Sequence, residues 1–134
     1  MVVVDGAGIP LGMRLVEASP AEVTLVDYTL SALPKKLRRK IQRLIADRGY
    51  DSDALRRHLA AEGIQLICPH RKGRKKKATQ DGRKLRRYCR RWKVERTFAW
   101  LGDFRRLVVR YERNPQMYEA FFHVACILIT LRHL

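Results

Sequence analysis

Residues 44–69 read LIADRGYDSDALRRHLAAEGIQLICP, and this stretch decides the fold class. Leu44-Ile45-Ala46 is a short apolar run that delivers Asp47 at its end. Gly49 permits a turn, Asp51 or Ser52 can cap a helix from Asp53 to Glu62, and Gly63 is placed to stop it. Ile64 to Cys68 is a second apolar run, closed by Pro69. Strand, helix and strand in that order imply two parallel strands joined by a crossover. An acid at the C-terminal end of a parallel strand is a common ligand position in α/β folds. An ordinary turn aspartate satisfies the same single fact.

Upstream, Val2-Val3-Val4 and Ile9 to Ala18 flank the turn Asp5-Gly6-Ala7-Gly8, a hairpin pattern with Pro10 near the start of its second strand. Ser19-Pro20-Ala21-Glu22 has the residue types of a capping box, and Val23, Val26, Leu30 and Leu33 then recur at helical spacing until Pro34. Lys35 to Lys40 reads as a basic connection. Downstream, residues 70–84 are polar and basic and form a loop within one domain covering residues 1–134. A long helix is expected from Lys84 to Phe104, and Asn114-Pro115 starts a last helix. Ala120 to Leu131 is strongly apolar, interrupted by His123 and too short to span a bilayer, so it reads as a buried helix with His123 in the core. The whole is an α/β layered domain.

Charge narrows the partner. Twenty-nine Lys and Arg against thirteen Asp and Glu give a net charge of +16, while 46% hydrophobic residues provide for a core. Such an excess calls for a polyanion, because neutralising phosphates releases condensed counterions. Nucleic acid comes first and an anionic membrane surface second; a ribosomal or chromatin-type packing protein also satisfies charge alone. The basic cluster Arg71, Lys72, Arg74, Lys75, Lys76, Lys77 and the segment Lys84 to Lys93 could line a DNA groove or form a solvated basic face, with His70 beside them as a further phosphate candidate. The three cysteines form no C-x-x-C pair and read as reduced thiols of a cytoplasmic protein. The N-terminus carries no signal-peptide pattern.

Tyr88, Arg91 and Glu95 stand at i, i+3 and i+7 and so share one face of a helix. Read plainly, Arg91 and Glu95 form a helix salt bridge. Read with Asp47, Glu95 becomes the second of two carboxylates that could converge across a cleft, as phosphoryl transfer with hard divalent cations requires. Two acids alone are a weak signal, since a third is needed to seat two ions. Trp92 and Trp100 lie nearly on one face, and Trp100 with Phe98 and Leu101 reads as core rather than as a base-stacking wedge.

Asp47-Arg48-Gly49-Tyr50-Asp51-Ser52, with Tyr88-x-x-Arg91-x-x-x-Glu95-Arg96-Thr97-Phe98-Ala99-Trp100-Leu101 downstream, resembles the DDE transposases of bacterial insertion sequences. Phe104-Arg105-Arg106-Leu107-x-x-Arg110-Tyr111-Glu112 and Asp5-Gly6-Ala7-Gly8-Ile9-Pro10-Leu11 extend the likeness over nearly the whole chain. The resemblance implies a ribonuclease H-like fold with C-terminal helices and an Asp-Asp-Glu triad holding two Mg²⁺ or Mn²⁺ ions. It also implies double-stranded DNA as partner and a cytoplasmic, nucleoid-associated location. Asp47 matches the second aspartate and Glu95 the glutamate; Tyr88 and Arg91 match the start of the family's Tyr-Arg-Glu-Lys signature. The Lys position falls on Gly102, so its DNA contact would be lost or pass to Arg105 or Arg106, and Arg96 beside Glu95 is a further DNA candidate.

The family's first aspartate sits on a central strand before the hairpin, which has no counterpart here, and Asp5 matches only the hairpin turn. The expectation is an incomplete sheet, marginal stability and no activity of the chain by itself. It would be completed by an upstream reading-frame product, by self-association, or not at all if the element has decayed. A catalytically inactive DNA-binding protein, such as a transposition inhibitor, and a basic packing protein are the alternatives.

Overall fold

The computed structural model describes residues 1–16, 21–80 and 82–133. The proposed Ser19-Pro20 cap lies outside the described residues. Strands β1 (Val2–Val4) and β2 (Pro10–Met13) pair antiparallel, with Val2 opposite Met13 and the register shifting between Val3 and Val4. Asp5 fixes the turn: its carboxylate accepts from the backbone N–H of Ala7 at 2.7 Å and of Ile9 at 2.8 Å. The hairpin is as expected but its second strand is short. After a 3₁₀ turn at Glu22–Thr24, helix α1 (Leu25–Ser31) buries Val26, Thr29 and Leu30.

Pro34 ends that run and also starts another. Instead of an irregular connection, Lys35–Arg38 form a short helix, α2, with Pro34 at its N-cap. The proline ring presets the entry geometry, and Leu37 and Ile41 pack against the core, which gives this basic segment a reason to coil. Strand β3 (Arg43–Ile45), helix α3 (Asp53–Ala61) and strand β4 (Gln65–Ile67) follow. The strands are parallel, Leu44 opposite Leu66 and Ile45 opposite Ile67. Ser52 caps α3 by accepting from Leu55 N–H at 3.3 Å, and Gly63 at φ +78° lies just past its end.

The expected long helix is divided. Gly82–Leu85 form α4, Arg86–Arg91 are 3₁₀, and α5 runs over Trp92–Gly102. Arg86 and Arg90, and Arg87 and Arg91, are like charges four apart, and this stretch buries no residue that would hold α-geometry by packing. A short helix that the sequence reading did not anticipate, α6 (Arg105–Val108), precedes α7 (Pro115–Leu131), which starts where Asn114 accepts from Gln116 N–H at 2.9 Å.

The described residues are thus α/β, with two two-stranded sheets, β1–β2 and β3–β4. Most of the described buried hydrophobic residues fall into two clusters. The larger gathers Val26, Leu30, Leu33, Leu55, Leu59 and Ile64 around β4; the smaller gathers Leu101, Ala125 and Ile129 with Trp100 and Phe104 around them. Two expectations about the helices are corrected. Phe98 is half exposed rather than core, because α5 presents only Thr97 and Leu101 inward. Helix α7 is buried on one face alone: His123 is exposed, 4.0 Å from Glu119, and Val124, Ile127, Leu128 and Leu131 remain in solvent. No helix among the described residues is long and apolar enough to cross a membrane.

Leu59 is fully buried at the centre of the larger cluster, where truncation leaves a cavity as well as losing transfer free energy. Leu59→Ala is expected to lower unfolding free energy by about 2–5 kcal/mol, read by urea titration with far-ultraviolet circular dichroism.

Candidate catalytic carboxylates and nucleic-acid interface

Asp47 follows β3 directly and caps a 3₁₀ turn at Arg48–Tyr50, its carboxylate accepting from Gly49 N–H at 2.7 Å. Its backbone carbonyl is held from beneath by the Cys68 thiol, 2.8 Å away. Burial pushes that thiol up to about 11, so Cys68 stays a neutral donor. Asp47 is therefore an exposed acid on a fixed base. A second carboxylate, Glu22, shares this edge. A Cβ placed on Gly49 would lie 2.9 Å from Asp47 Oδ1 and 3.6 Å from Glu22 Oε2. Burial and the neighbouring Glu22 and Asp47 charges raise the Tyr50 phenol well above its ordinary value, and Tyr50 hydrogen-bonds Glu22. Sequence reading used Glu22 only as a helix-start residue; its distance from Asp47 along the chain left no signal.

Glu95 sits in the first turn of α5, exposed and paired with Arg91. Arg91 in turn lies over the Tyr88 ring at 5.9 Å, so the structure brings Tyr88, Arg91 and Glu95 together. It does so across the junction of 3₁₀ and α-helix rather than along one continuous helix. Arg96 is differently used. Its guanidinium lies between the rings of Trp92 at 4.9 Å and Trp100 at 4.7 Å and donates to the Ala7 carbonyl. Lys93 donates to the Gly6 carbonyl and Thr97 to that of Gly8. Gly8 has φ +86°, and a Cβ there would meet Lys93 O at 3.2 Å, so only glycine lets the helix come this close.

The basic loop is organised by an acid that sequence reading took only for a cap. The Asp51 side chain is 3% exposed. It accepts from Arg56 at 2.9 Å, from the Arg71 backbone N–H at 2.9 Å, and pairs with His70 Nδ1 at 2.9 Å. Burial alone would raise its carboxyl, but these hydrogen bonds outweigh it and hold the group at about 2. His70 Nε2 accepts from Thr79 N–H at 3.2 Å, so this histidine is a structural strut between Asp51 and the far side of the loop. Arg71 donates to the Gly49 carbonyl at 2.7 Å and Arg74 grips both oxygens of Asp53 at 2.9 Å. Of the loop residues expected at DNA, Arg71 and Arg74 thus hold the loop in place, while Lys72, Lys75, Lys76 and Lys77 are exposed. Arg105 is exposed beyond α5, and Arg106 pairs with Glu112 at 2.5 Å.

The transposase DDE domain model matches residues 1–130. The chain belongs to this family. A transposase for insertion sequence element IS402 of Burkholderia cepacia is 40% identical over 140 residues, covering 98% of this chain and 63% of the relative. One for insertion sequence element IS6501 of Brucella ovis (strain ATCC 25840 / 63/290 / NCTC 10512) is 30% identical over 134 residues, 97% of this chain and 95% of the relative. The chain therefore spans less than two thirds of the Burkholderia protein's length. No solved structure matches.

Membership of the DDE family implies use of a divalent metal, and this bears on the donor set. Asp47 and Glu95 are hard oxygen donors of the right kind. Yet Asp47 is anchored by the β3–β4 unit and Glu95 by Arg91, and among the described residues no group of three or more His, Cys, Asp and Glu could hold an ion.

The Asp51 carboxyl has a folded-state value, about 2, below the ordinary 3.8. Its stabilisation is therefore present above pH ~4 and lost as pH falls towards 2, an effect of roughly 2 kcal/mol. Asp51→Asn is expected to cost about that much at neutral pH and to flatten the acid limb of a stability–pH profile between 4 and 2.

Proposed function

We propose that this chain is the part of an insertion-sequence transposase catalytic domain that bears the second aspartate, Asp47, and the glutamate, Glu95. The fold of the complete domain is ribonuclease H-like, and its first central strand, with the first aspartate, is supplied from outside these residues. The observation that carries the reading is an exposed carboxylate fixed at the C-terminal end of a parallel strand, in a chain whose family match runs from residue 1 to 130. The separation of β1–β2 from β3–β4 supports it, since a strand between them would join the two sheets. In the complete enzyme Asp47 and Glu95 would hold Mg²⁺ or Mn²⁺, two ions in all, and the metal would supply charge stabilisation for cleavage and joining of element ends.

The residues present do the positioning. Cys68 and Gly49 hold Asp47 in place, and Arg91, stacked on Tyr88, aims Glu95. Lys72, Lys75, Lys76, Lys77 and Arg105 meet the phosphates of double-stranded DNA, with Arg71, Arg74, Arg96 and Arg106 behind them as the framework. A catalytically inactive DNA-binding protein is the second reading, favoured by the Arg91–Glu95 pair and the absence of a three-acid group among the described residues.

Two experiments test this. Glu95→Gln in the complete enzyme is expected to abolish metal-dependent cleavage of element ends while DNA affinity stays nearly unchanged; undiminished cleavage by that variant sinks the assignment. For the chain itself, DNA affinity should fall steeply with salt. Replacing Lys72, Lys75, Lys76 and Lys77 by Ala should reduce the log–log salt slope by about 0.9 for each lysine that neutralises a phosphate. An unchanged slope in fluorescence anisotropy would place the DNA elsewhere.

A further inference from the structure

Arg71 is tied to the rest of the chain twice. Its backbone N–H donates to Asp51 Oδ2 at 2.9 Å, which fixes the start of the basic loop to the β3–α3–β4 unit. Its side chain reaches back 22 and 23 residues, where Nη2 donates to the Gly49 carbonyl at 2.7 Å and Nε to that of Arg48 at 3.3 Å. Both carbonyls belong to the 3₁₀ turn that Asp47 caps. The Asp47 carboxylate meanwhile accepts from the Gly49 N–H at 2.7 Å. Carboxylate and guanidinium thus grip one residue, Gly49, by its two ends. Among the described residues no other side chain donates to these two carbonyls. Arg74 stays away from the turn, pairing instead with both oxygens of Asp53.

We propose that Arg71 is a positioning residue for Asp47, carrying the occupancy of the loop lysines by DNA phosphates into the turn that aims this carboxylate. The inference rests on the proposed roles of Asp47 and of Lys72, Lys75, Lys76 and Lys77. The turn needs such support. A three-residue 3₁₀ helix has poor hydrogen-bond geometry, and its bonds from Tyr50 N–H to the Asp47 carbonyl and from Asp51 N–H to the Arg48 carbonyl are both 3.2 Å. Arg71 is exposed, so holding its guanidinium on two carbonyls gives up rotamer freedom that water would otherwise leave it. Lys72 is the next residue and faces solvent. Phosphates seated on it and on the other lysines restrict the loop, so part of that freedom is already lost when DNA is bound. The guanidinium then stays on its carbonyls, and Asp47 is held in one place when a substrate backbone lies on the loop. Charged donors make the stronger hydrogen bonds, and only the planar fork of arginine spans two neighbouring carbonyls.

Amide hydrogen exchange of the chain, with and without a saturating short DNA duplex, reads the turn directly. In the wild-type chain DNA should slow exchange at Gly49 and Tyr50, whose N–H groups bond Asp47, by about 10-fold, the size of one net hydrogen bond. Arg71→Ala should abolish that slowing. Its backbone bond to Asp51 survives, so DNA affinity in fluorescence anisotropy should stay within about 3-fold and the salt slope unchanged, since Arg71 neutralises no phosphate. The Ala46 N–H, bonded to the Ile67 carbonyl, reports whether the parallel pair is intact. Should Arg71→Ala disturb the fold, Arg71→Lys keeps the charge and the stem but holds only one carbonyl; it should bind DNA as the wild type does and lose most of the slowing. Slowing that persists in both variants assigns the protection to DNA covering the turn and overturns the proposal. So does a wild-type chain that binds DNA without any change at Gly49 and Tyr50, an outcome that leaves the DNA reading standing. A chain that binds no DNA defeats that reading and this inference together.

Discussion

The fold of this chain hangs on the contact between helix α5 and the hairpin turn. Three consecutive carbonyls, those of Gly6, Ala7 and Gly8, receive donors from Lys93, Arg96 and Thr97. Two sheets and two core clusters need a joint, and this is where the first strands of the chain meet the helix that carries Glu95. Two of the three donors are cationic, and hydrogen bonds of that kind contribute more than neutral ones. The third, Thr97, is fully buried, so leaving it unpaired would be costly. The joint also explains why a basic helix tolerates Arg96 between two tryptophans: the guanidinium spends its charge on a carbonyl and its faces on rings.

A second constraint governs the other half. Asp51, nearly buried, collects Arg56, His70 and the Arg71 N–H, and through them fastens the basic loop to the β3–α3–β4 unit. Asp47 is only four residues earlier, and the same loop returns Arg71 to the Gly49 carbonyl beside it. Charge is thereby divided between two tasks. Arginines, with planar forked donors, build the framework; lysines, as flexible point charges, stay in solvent. That division is a physical reason for a loop to carry so many cations of both kinds.

Much of this was legible in the chain itself. Apolar runs ending in Asp47 and Cys68, with a capped helix between them, dictate a parallel pair, because a crossover of that length returns the chain in the same direction. Asp5 and Gly8 write the hairpin turn, and Asn114-Pro115 writes the start of α7. The motif around Glu95 was specific enough to place the chain among DDE transposases, and the family match over residues 1–130 agrees. What was misread has a common cause. Helical spacing predicted one long helix from Lys84, but periodicity does not register repulsion among Arg86, Arg87, Arg90 and Arg91. Likewise the apolar run in α7 read as buried, although composition counts apolar residues without saying how many faces a neighbour covers.

By itself, then, the sequence determined the order and type of its main elements, the hairpin turn, the parallel pair and the family, because each is written in local spacing and turn chemistry. Tertiary structure alone decided which charges are free and which are spent. Asp51 with His70, Glu22 beside Asp47, Arg96 on the Ala7 carbonyl, and the uncovered face of α7 all join residues far apart in the chain or depend on what a neighbour leaves exposed. Such contacts are set by where packed elements come to rest, and no periodicity within one element encodes that.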